Sequence, residues 1–211
     1  DQDRANVTHA GAMDHLTIDD ILPDKFEGCK HLHFSSYFLQ AGLKKDIARL
    51  FSEAKKAGLT TSFDVQWDPW EKWDLDLKSV LPHVDVFLPN EKELMKLTGR
   101  NTLESAIDSI KGFANTIVVK LGGKGSASYH KGQLIAMPAF MNEQVVDAIG
   151  AGDSFNAGFI YKFIQGAPIE TCQRYGNLMG AISTTAAGGT AAFTDNKNIM
   201  KNAKERFGFS E

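Results

Sequence analysis

The sequence predicts an α/β fold, a three-layer αβα sandwich built around a mostly parallel sheet. Short apolar runs rich in β-branched and aromatic residues alternate along the chain with amphipathic stretches of helical period. That alternation is typical of a parallel sheet covered by helices on both faces. The 211 residues contain no internal repeat and no linker rich in Pro, Gly or Ser, so one domain over residues 1–211 is the simplest division.

The strands are predicted from short runs bounded by turn residues. One run is stopped by Pro89, and the last two strands form a hairpin that turns at Lys131-Gly132. Val145 and Val146 are expected to form the tail of one more strand. The other predicted strands are, in order, HLHFSSYF (31–38), TTSFDV (60–65), DVFLPN (85–90), TIVVKLGG (116–123) and the hairpin GSASYHKGQLIAMPAF (125–140).

The helices are predicted from apolar residues spaced three and four apart. In the first helix this stripe includes Ile47, Leu50 and Phe51, and Gly58 suits the residue that ends a helix. Thr102 can cap the fourth helix. The predicted helices are KKDIARLFSEAKKAG (44–58), LKSVLPHV (77–84) as a short helix or else a turn, EKELMKLTG (91–99), TLESAIDSIKGF (102–113), SFNAGFIYKFIQG (154–166) and IETCQRYGNLMGAISTTAAG (169–188).

Composition argues against several classes of function. A net charge of −3 provides no basic footprint for nucleic acid. No apolar run approaches the ~18 residues of a membrane span, and the N-terminal stretch lacks the apolar core of a signal peptide. Cys29 and Cys172 lie far apart without metal-ligand spacing, which predicts two buried thiols in a reducing compartment. We therefore expect a cytoplasmic protein that binds small molecules, not nucleic acid or membranes.

The stretch DAIGAGDSFNAGF, residues 147–159, is the strongest candidate for a functional site. Its glycine-rich turn is expected between a strand and a helix, where unpaired N–H groups and the helix dipole favour an anion such as phosphate. Asp153 lies at the edge of that turn. Its carboxylate either caps the helix or accepts a proton from an alcohol that attacks a phosphoryl group. From these residues alone both interpretations stay open.

The same stretch closely resembles the second signature of the ribokinase-like (PfkB) sugar kinases, D-T-x-G-A-G-D-x-F-x-x-G. The resemblance implies that Asp153 is the catalytic base. It also implies that Gly150, Ala151 and Gly152 line an anion hole for the transferring phosphoryl group. Ala148 stands where the family usually has Thr, and this departure concerns only a side-chain contact beside the site.

The resemblance implies three cation-binding residues. DVFLPNEKEL matches the family's N-x-x-E element through Asn90 and Glu93, and that element holds Mg²⁺ largely through water. The same pair also suits a helix N-terminus, with Asn90 as the cap and Glu93 as the third helical residue, and both interpretations can hold together. Asp147 matches a position near a monovalent-cation site, and a turn acid is the alternative.

Five residues are implied on the nucleotide side. VVKLGGKGS, residues 118–126, resembles the family's strand-plus-glycine segment through Lys120, Gly122 and Gly125, with Lys120 able to reach a phosphate. A plain β-turn with an exposed lysine is the alternative. Asn177 matches an adenine-side asparagine, or else is an ordinary core or surface residue, and Gly189 matches the glycine that follows that helix.

Two other features are weighed beside these motifs. Asp64 ends a predicted strand, which allows it to face the site and support it from behind. Trp67, Trp70 and Trp73 could form a stacking platform, but their spacing of three favours one face of a short helix packed on the core.

The resemblance extends from about Phe34 to Gly189, so the chain looks like the C-terminal two-thirds of such a kinase. The family's N-terminal strand, Gly-Gly signature, lid and most sugar contacts would precede residue 1. The function implied is ATP-dependent transfer of the γ-phosphoryl group to a primary hydroxyl of a sugar, with Mg²⁺ and a monovalent cation. The alternatives are a catalytically inactive nucleotide-binding module or truncated fragment, and a nucleotide hydrolase. A sheet incomplete at the N-terminus would expose an edge, which predicts self-association, and the family often forms homodimers.

Overall fold

The computed structural model describes residues 7–21 and 24–210. A single six-stranded sheet forms its centre, and each strand lies beside the strand that precedes it in sequence. The strands are β1 (His31–Ser35), β2 (Thr60–Asp64), β3 (Val86–Phe87), β4 (Thr116–Lys120), β5 (Ser126–His130) and β6 (Gln133–Met137). β1 to β4 run parallel, and β5 and β6 add an antiparallel hairpin at one edge.

Seven α-helices lie in the described part of the chain. Every predicted helix is present, and the Thr102 hydroxyl caps the fourth as expected by accepting the Ser105 N–H. The helices are α1 (Ile47–Lys56), α2 (Leu77–Val80), α3 (Glu91–Thr98), α4 (Leu103–Ile110), α5 (Ala151–Phe163), α6 (Ile169–Ser183) and α7 (Asn196–Glu205).

The two faces of the sheet carry separate apolar cores, because successive strand side chains point to opposite faces. On one face Phe63, Phe87 and Ile117 pack with buried residues of α1 to α4. On the other face Val86 and Val118 pack with α5 and α6. Helices therefore cover both sides of the sheet, and the predicted three-layer sandwich is confirmed.

Several predicted boundaries shift for identifiable reasons. β1 ends at Ser35 because Ser36 adopts a left-handed backbone, with φ 59°. The helix expected from 154 begins three residues earlier at Ala151, so the glycine-rich turn leads directly into its first turn. α6 ends at Ser183, five residues before the predicted Gly188, because the stretch that follows is a series of turns and bends.

The strand tail predicted at Val145 and Val146 is wrong. Both side chains are exposed, and neither residue belongs to a strand. The Val146 N–H donates to the carbonyl oxygen of Thr184, 2.9 Å away just past the end of α6. Residues 145–146 therefore lie beside the end of α6 and not along a sheet edge. No strand of the described structure lies there to form a ladder of hydrogen bonds with them.

The tryptophan segment and Cys29 also differ from expectation. Residues 67–73 form a loop, not a helix, and only Trp73 packs against the core, while Trp67 and Trp70 are 43% and 59% exposed. Cys172 is buried as predicted, but Cys29 is exposed.

The sequence analysis missed α7. Its N-terminus was marked by Asp195, whose carboxylate accepts the Lys197 N–H, but polar residues outnumber apolar ones along this helix.

A separate finding concerns membranes. Within residues 7–21 and 24–210, no helix has the length and hydropathy that crossing a bilayer requires.

Candidate active site

The site is built around the N-terminus of α5, at the end of a turn that only glycine can make. Gly150 is the N-cap residue and adopts a left-handed backbone, with φ 75°. A Cβ on Gly150 would lie 2.7 Å from the Cα of Gly189, so a side chain would collide with backbone there. No described side chain caps this helix. In its first turn the Ala151 N–H donates to the Ala148 carbonyl oxygen at 3.3 Å, and the Gly152 and Asp153 N–H groups have no intrahelical partner, an arrangement that suits an anion.

Asp153 is the third residue of this helix, and its side chain is exposed. Gly150 occupies the capping position, so the interpretation of Asp153 as the N-cap does not apply. The Asp153 Oδ1 atom accepts a hydrogen bond from the Gln66 side-chain amide, 3.0 Å away. An exposed carboxylate beside an open helix N-terminus can accept a proton from a hydroxyl group brought to that turn.

A buried ion pair lies beneath the turn. The Lys120 ammonium group is 2.6 Å from Asp64 Oδ2, and the side chains are 13% and 2% exposed. Asn156, on the second turn of α5, accepts from the same ammonium group at 3.3 Å and donates to the same carboxylate oxygen. Lys120 Nζ lies 3.9 Å from the position that a Cβ on Gly152 would occupy. Lys120 is therefore not an exposed turn lysine, and its charge is placed directly under the glycine-rich turn.

Asn90 and Glu93 form a complete capping box at the start of α3. Asn90 Oδ1 accepts the Glu93 N–H at 2.9 Å, and Glu93 Oε2 accepts the Asn90 N–H at 2.8 Å. The Glu93 side chain is nevertheless buried, and its pKa is raised to about 7, mainly by this burial. The carboxylates of Asp64 and Asp153 contribute to the raised pKa, whereas Lys120 and the Asn90 N–H oppose it.

Charges of both signs act on Glu93, since Asp64 and Asp153 disfavour its ionisation and Lys120 favours it. No group of three or more His, Cys, Asp or Glu residues that could hold a metal was found in the described ranges. A cage made entirely of protein ligands is therefore not formed there. Mg²⁺ commonly keeps several waters and needs only one or two carboxylates beside substrate phosphates. Asn90 and Glu93 fit that kind of site, in which the capping box holds the carboxylate in place.

Asp147 connects two loops. Its Oδ1 atom accepts the Ile149 N–H and its Oδ2 atom accepts the Gly188 N–H, both at 2.9 Å. These bonds hold the glycine-rich turn against the loop that contains Gly189. In the described structure Asp147 thus acts as the turn acid of the sequence analysis, and its relation to a cation stays a prediction.

The remaining predicted residues meet at the end of β6. Gly125 adopts φ 97°, and a Cβ there would lie 2.1 Å from the Met137 carbonyl oxygen. The buried side-chain amide of Asn177 donates to the carbonyl oxygens of Met137 and Pro138, at 3.4 and 3.1 Å. Gly122 begins the short turn between β4 and β5. Gly125 and Asn177 are therefore placed around one backbone segment, and their contacts there are structural.

Two site residues were missed by the sequence analysis. Gln66 contacts Asp153, and Ser36 contacts Gln66, with its hydroxyl oxygen 2.7 Å from Gln66 Oε1. Each follows the end of a parallel strand, where ligands of such sheets bind. That position was the available signal, but neither residue belongs to a motif that attracts attention.

Comparisons with known proteins identify the family of this chain. The sequence model of the "pfkB family carbohydrate kinase" matches residues 1–196. An uncharacterised sugar kinase of Archaeoglobus fulgidus is 31% identical over 183 residues, which are 84% of this chain and 70% of that protein. A 2-dehydro-3-deoxygalactonokinase of Haloferax volcanii is 33% identical over 165 residues, which are 74% of this chain and 51% of the relative.

Solved structures are similar as well. Arabidopsis thaliana ribokinase, complexed with ribose and ATP, aligns with a TM-score of 0.75 and 25% identity over 92% of this chain and 60% of the ribokinase. A fructokinase of Vibrio cholerae with bound fructose, ADP and potassium ion aligns with a TM-score of 0.72 and 25% identity, over 88% of this chain and 63% of the fructokinase. The chain thus spans between half and 70% of these relatives' lengths. With a buried lysine under its glycine-rich turn and a family match over residues 1–196, the chain belongs to the pfkB family of carbohydrate kinases.

Proposed function

We propose that this chain acts in an ATP-dependent kinase that transfers the γ-phosphoryl group of Mg-ATP to a primary hydroxyl of a sugar or a related small molecule. The observation that carries the proposal is the position of Asp153. Its exposed carboxylate lies on the first turn of α5, above the buried Lys120 and beside amides that have no intrahelical partner. A base and an anion site are thus placed within one helical turn, as phosphoryl transfer to an alcohol requires.

Each residue has a defined part in the proposed reaction. Asp153 takes the proton of the acceptor hydroxyl as its oxygen attacks the γ-phosphorus. The amides of Gly150, Ala151 and Gly152 stabilise the negative charge that develops on the phosphoryl oxygens, and Lys120 adds positive charge from below. The glycine-rich turn is held in position because the backbones of Gly150 and Gly189 pack against each other.

The cations are part of the proposal. Asn90 and Glu93 are proposed to hold Mg²⁺ through its waters, and the ion would offset charge on the ATP phosphates. The electrostatic raising of the Glu93 pKa by Asp64 and Asp153 supports a cation here. A monovalent cation is proposed near Asp147, and the fructokinase recorded with a potassium ion supports it.

The nucleotide is proposed to lie along the strand ends that carry Lys120, Gly122 and Gly125, with Asn177 and Gly189 on its adenine side. The ATP recorded in the Arabidopsis ribokinase supports this assignment. We also propose a cytoplasmic location, where ATP is available and the two free cysteines stay reduced.

Self-association is proposed as well. β1 lies at the outer edge of the described sheet. Tyr161 of α5 and Ile164, the residue that follows this helix, are 57% and 44% exposed. An open strand edge and an apolar helix face favour pairing with another copy. Light scattering should show dimers or larger species, and a monomer at high protein concentration would contradict this.

The experiment that tests the function is ADP formation from Mg-ATP across a panel of sugars, with the Asp153→Asn variant beside the unmodified chain. Asp108→Asn is the matched control, because Asp108 is an exposed aspartate on α4 whose one ion pair among the described residues is with Lys111. Sugar-dependent turnover that Asp153→Asn loses and Asp108→Asn keeps would support the proposal. ADP formation without sugar would indicate a hydrolase, and nucleotide binding without turnover would indicate a binding module.

A further inference from the structure

Two residues with unusual backbones meet at the ends of β1 and β2. Ser36 and Gln66 have φ of 59° and 57°, in the left-handed region that residues with a side chain rarely adopt. Each follows the end of its strand, and the two are joined by a hydrogen bond from the Ser36 hydroxyl to Gln66 Oε1, 2.7 Å long. Strained residues of this kind persist where the surrounding structure requires them, and they concentrate at functional sites.

The Asp153 carboxylate determines which way the Gln66 amide faces. A carboxylate can only accept, so the amide nitrogen must be the end that faces Asp153, and Gln66 Nε2 lies 3.0 Å from Asp153 Oδ1. The amide oxygen is then left facing Ser36, where the hydroxyl donates to it. The two bonds support each other and fix both ends of one side chain.

We propose that Gln66 is a positioning residue for Asp153, held in its orientation by Ser36. This inference rests on the proposed function. Gln66 anchors Oδ1 of the carboxylate, and Oδ2, for which the described residues provide no hydrogen bond, faces the acceptor. As the acceptor oxygen bonds to the γ-phosphorus, the bond from that phosphorus to the β–γ bridging oxygen breaks, ADP leaves, and the hydroxyl proton passes to Asp153 Oδ2.

Glutamine fits this role better than glutamate or asparagine would. Glutamate would place a second negative charge against Asp153, and asparagine is one methylene too short to reach Asp153 and Ser36 together. Gln66 is also tied to the ion pair below, because its backbone N–H donates to Asp64 Oδ1 at 3.3 Å. Gln66 thus connects Asp153 to the end of β2, which carries Asp64.

The experiment compares Gln66→Asn and Ser36→Gly with the unmodified chain. Both substitutions suit a left-handed backbone, so neither is expected to unfold the protein. Gln66→Asn should lower kcat by 10-fold or more and Ser36→Gly by about 3-fold or more, while the KM for Mg-ATP changes less than 2-fold. Gln40→Asn is the matched control, since Gln40 donates to the Ser35 carbonyl oxygen and has no described contact with Asp153.

A second readout does not depend on activity. In a ¹H–¹⁵N spectrum the Gln66 side-chain amide should shift in Ser36→Gly and in Asp153→Ala, and should stay unchanged in Gln40→Asn. If the unmodified chain shows no turnover, the proposed function fails, and these shifts alone decide whether Gln66 contacts Ser36 and Asp153 together. An unchanged kcat in Gln66→Asn, or a Gln66 resonance that ignores both Ser36→Gly and Asp153→Ala, would overturn the inference even where Asp153→Asn abolishes turnover.

Discussion

The ammonium group of Lys120 lies 2.6 Å from the carboxylate of Asp64, and both side chains are removed from solvent beneath α5. Breaking a buried pair by removing one partner leaves an uncompensated charge in the interior. Lys120→Met should therefore lower the free energy of unfolding by about 3–5 kcal/mol. The double variant Lys120→Met/Asp64→Asn should lose less than the sum of the two single changes. Urea unfolding of all four proteins measures this, with Lys56→Met as the control, because the Lys56–Glu53 pair lies at the surface and its loss should leave the stability almost unchanged.

Gly150→Ala should be more damaging than a substitution at an ordinary left-handed glycine. Gly58 has φ 84° with nothing near the position of a Cβ, so Gly58→Ala measures backbone strain alone, about 1–2 kcal/mol. Gly150 has a similar φ, but its new Cβ would also press on the backbone of Gly189. We expect a larger loss in the free energy of unfolding and weaker ATP binding for Gly150→Ala only. Equal losses in urea unfolding for the two variants would show that the close approach to Gly189 has no consequence.

Mg²⁺ should stabilise the chain through Glu93. The Glu93 carboxylate is buried beside Asp64 and Asp153, and a cation would favour its ionised form. In thermal unfolding with ATP present, Mg²⁺ should raise the Tm of the unmodified chain by several degrees and that of Glu93→Gln by much less. Glutamine keeps the capping box, so the helix should remain. Glu91→Gln, in the same helical turn, is the control, and a Tm response to Mg²⁺ that Glu93→Gln retains in full would contradict the assignment.

Acid should destabilise the protein partly through His31. Both ring nitrogens are engaged, Nδ1 with the Thr60 hydroxyl at 2.8 Å and Nε2 with the Ser62 hydroxyl at 2.7 Å. The pKa of His31 is lowered from 6.5 to about 4, mainly by burial and also by the neighbouring His33, against an opposing effect of Asp85. Between these two values the unfolded chain binds a proton that the folded chain refuses, so stability is full above pH 6.5 and falls as the pH drops towards 4.

The His31→Gln variant provides the test of this pH dependence. Its free energy of unfolding should fall less steeply than that of the unmodified chain between pH 6.5 and 4, as measured by urea unfolding at several pH values. His83→Gln is the control, since the His83 side chain has no described hydrogen bond to Thr60 or Ser62 and only its backbone carbonyl oxygen contacts the neighbouring Thr61. Parallel curves for His31→Gln and the unmodified chain would show that other groups carry the acid sensitivity.

Much of the fold could be predicted from the sequence because its patterns are local. The stripe of Ile47, Leu50 and Phe51 predicts α1, and the run TIVVK predicts β4. Local patterns do not indicate which segments lie beside one another in the folded chain. Val145 and Val146 have strand-forming side chains, but they lie beside the end of α6, where no strand is available to pair with them.

The residues of the candidate site also divide into those that the sequence predicted and those that it did not. Asp153, Asn90 and Glu93 lie in recognisable motifs, and those motifs predicted where to look. Gln66 and Ser36 are brought to Asp153 only by the parallel pairing of β1 and β2, across 30 to 87 residues of sequence. Such a contact depends on register and on two left-handed backbones, and neither property can be predicted from residue types alone.

The order of the strands has a consequence for how the molecule is made. Each strand lies beside its predecessor, so the sheet can be extended one strand at a time as the chain leaves the ribosome, with modest contact order for a parallel architecture. α5 packs on Val86, Leu88 and Val118, so it can dock only after β3 and β4 are in place. The turn that carries Asp153 is therefore completed late in synthesis, after the strands beneath it have paired.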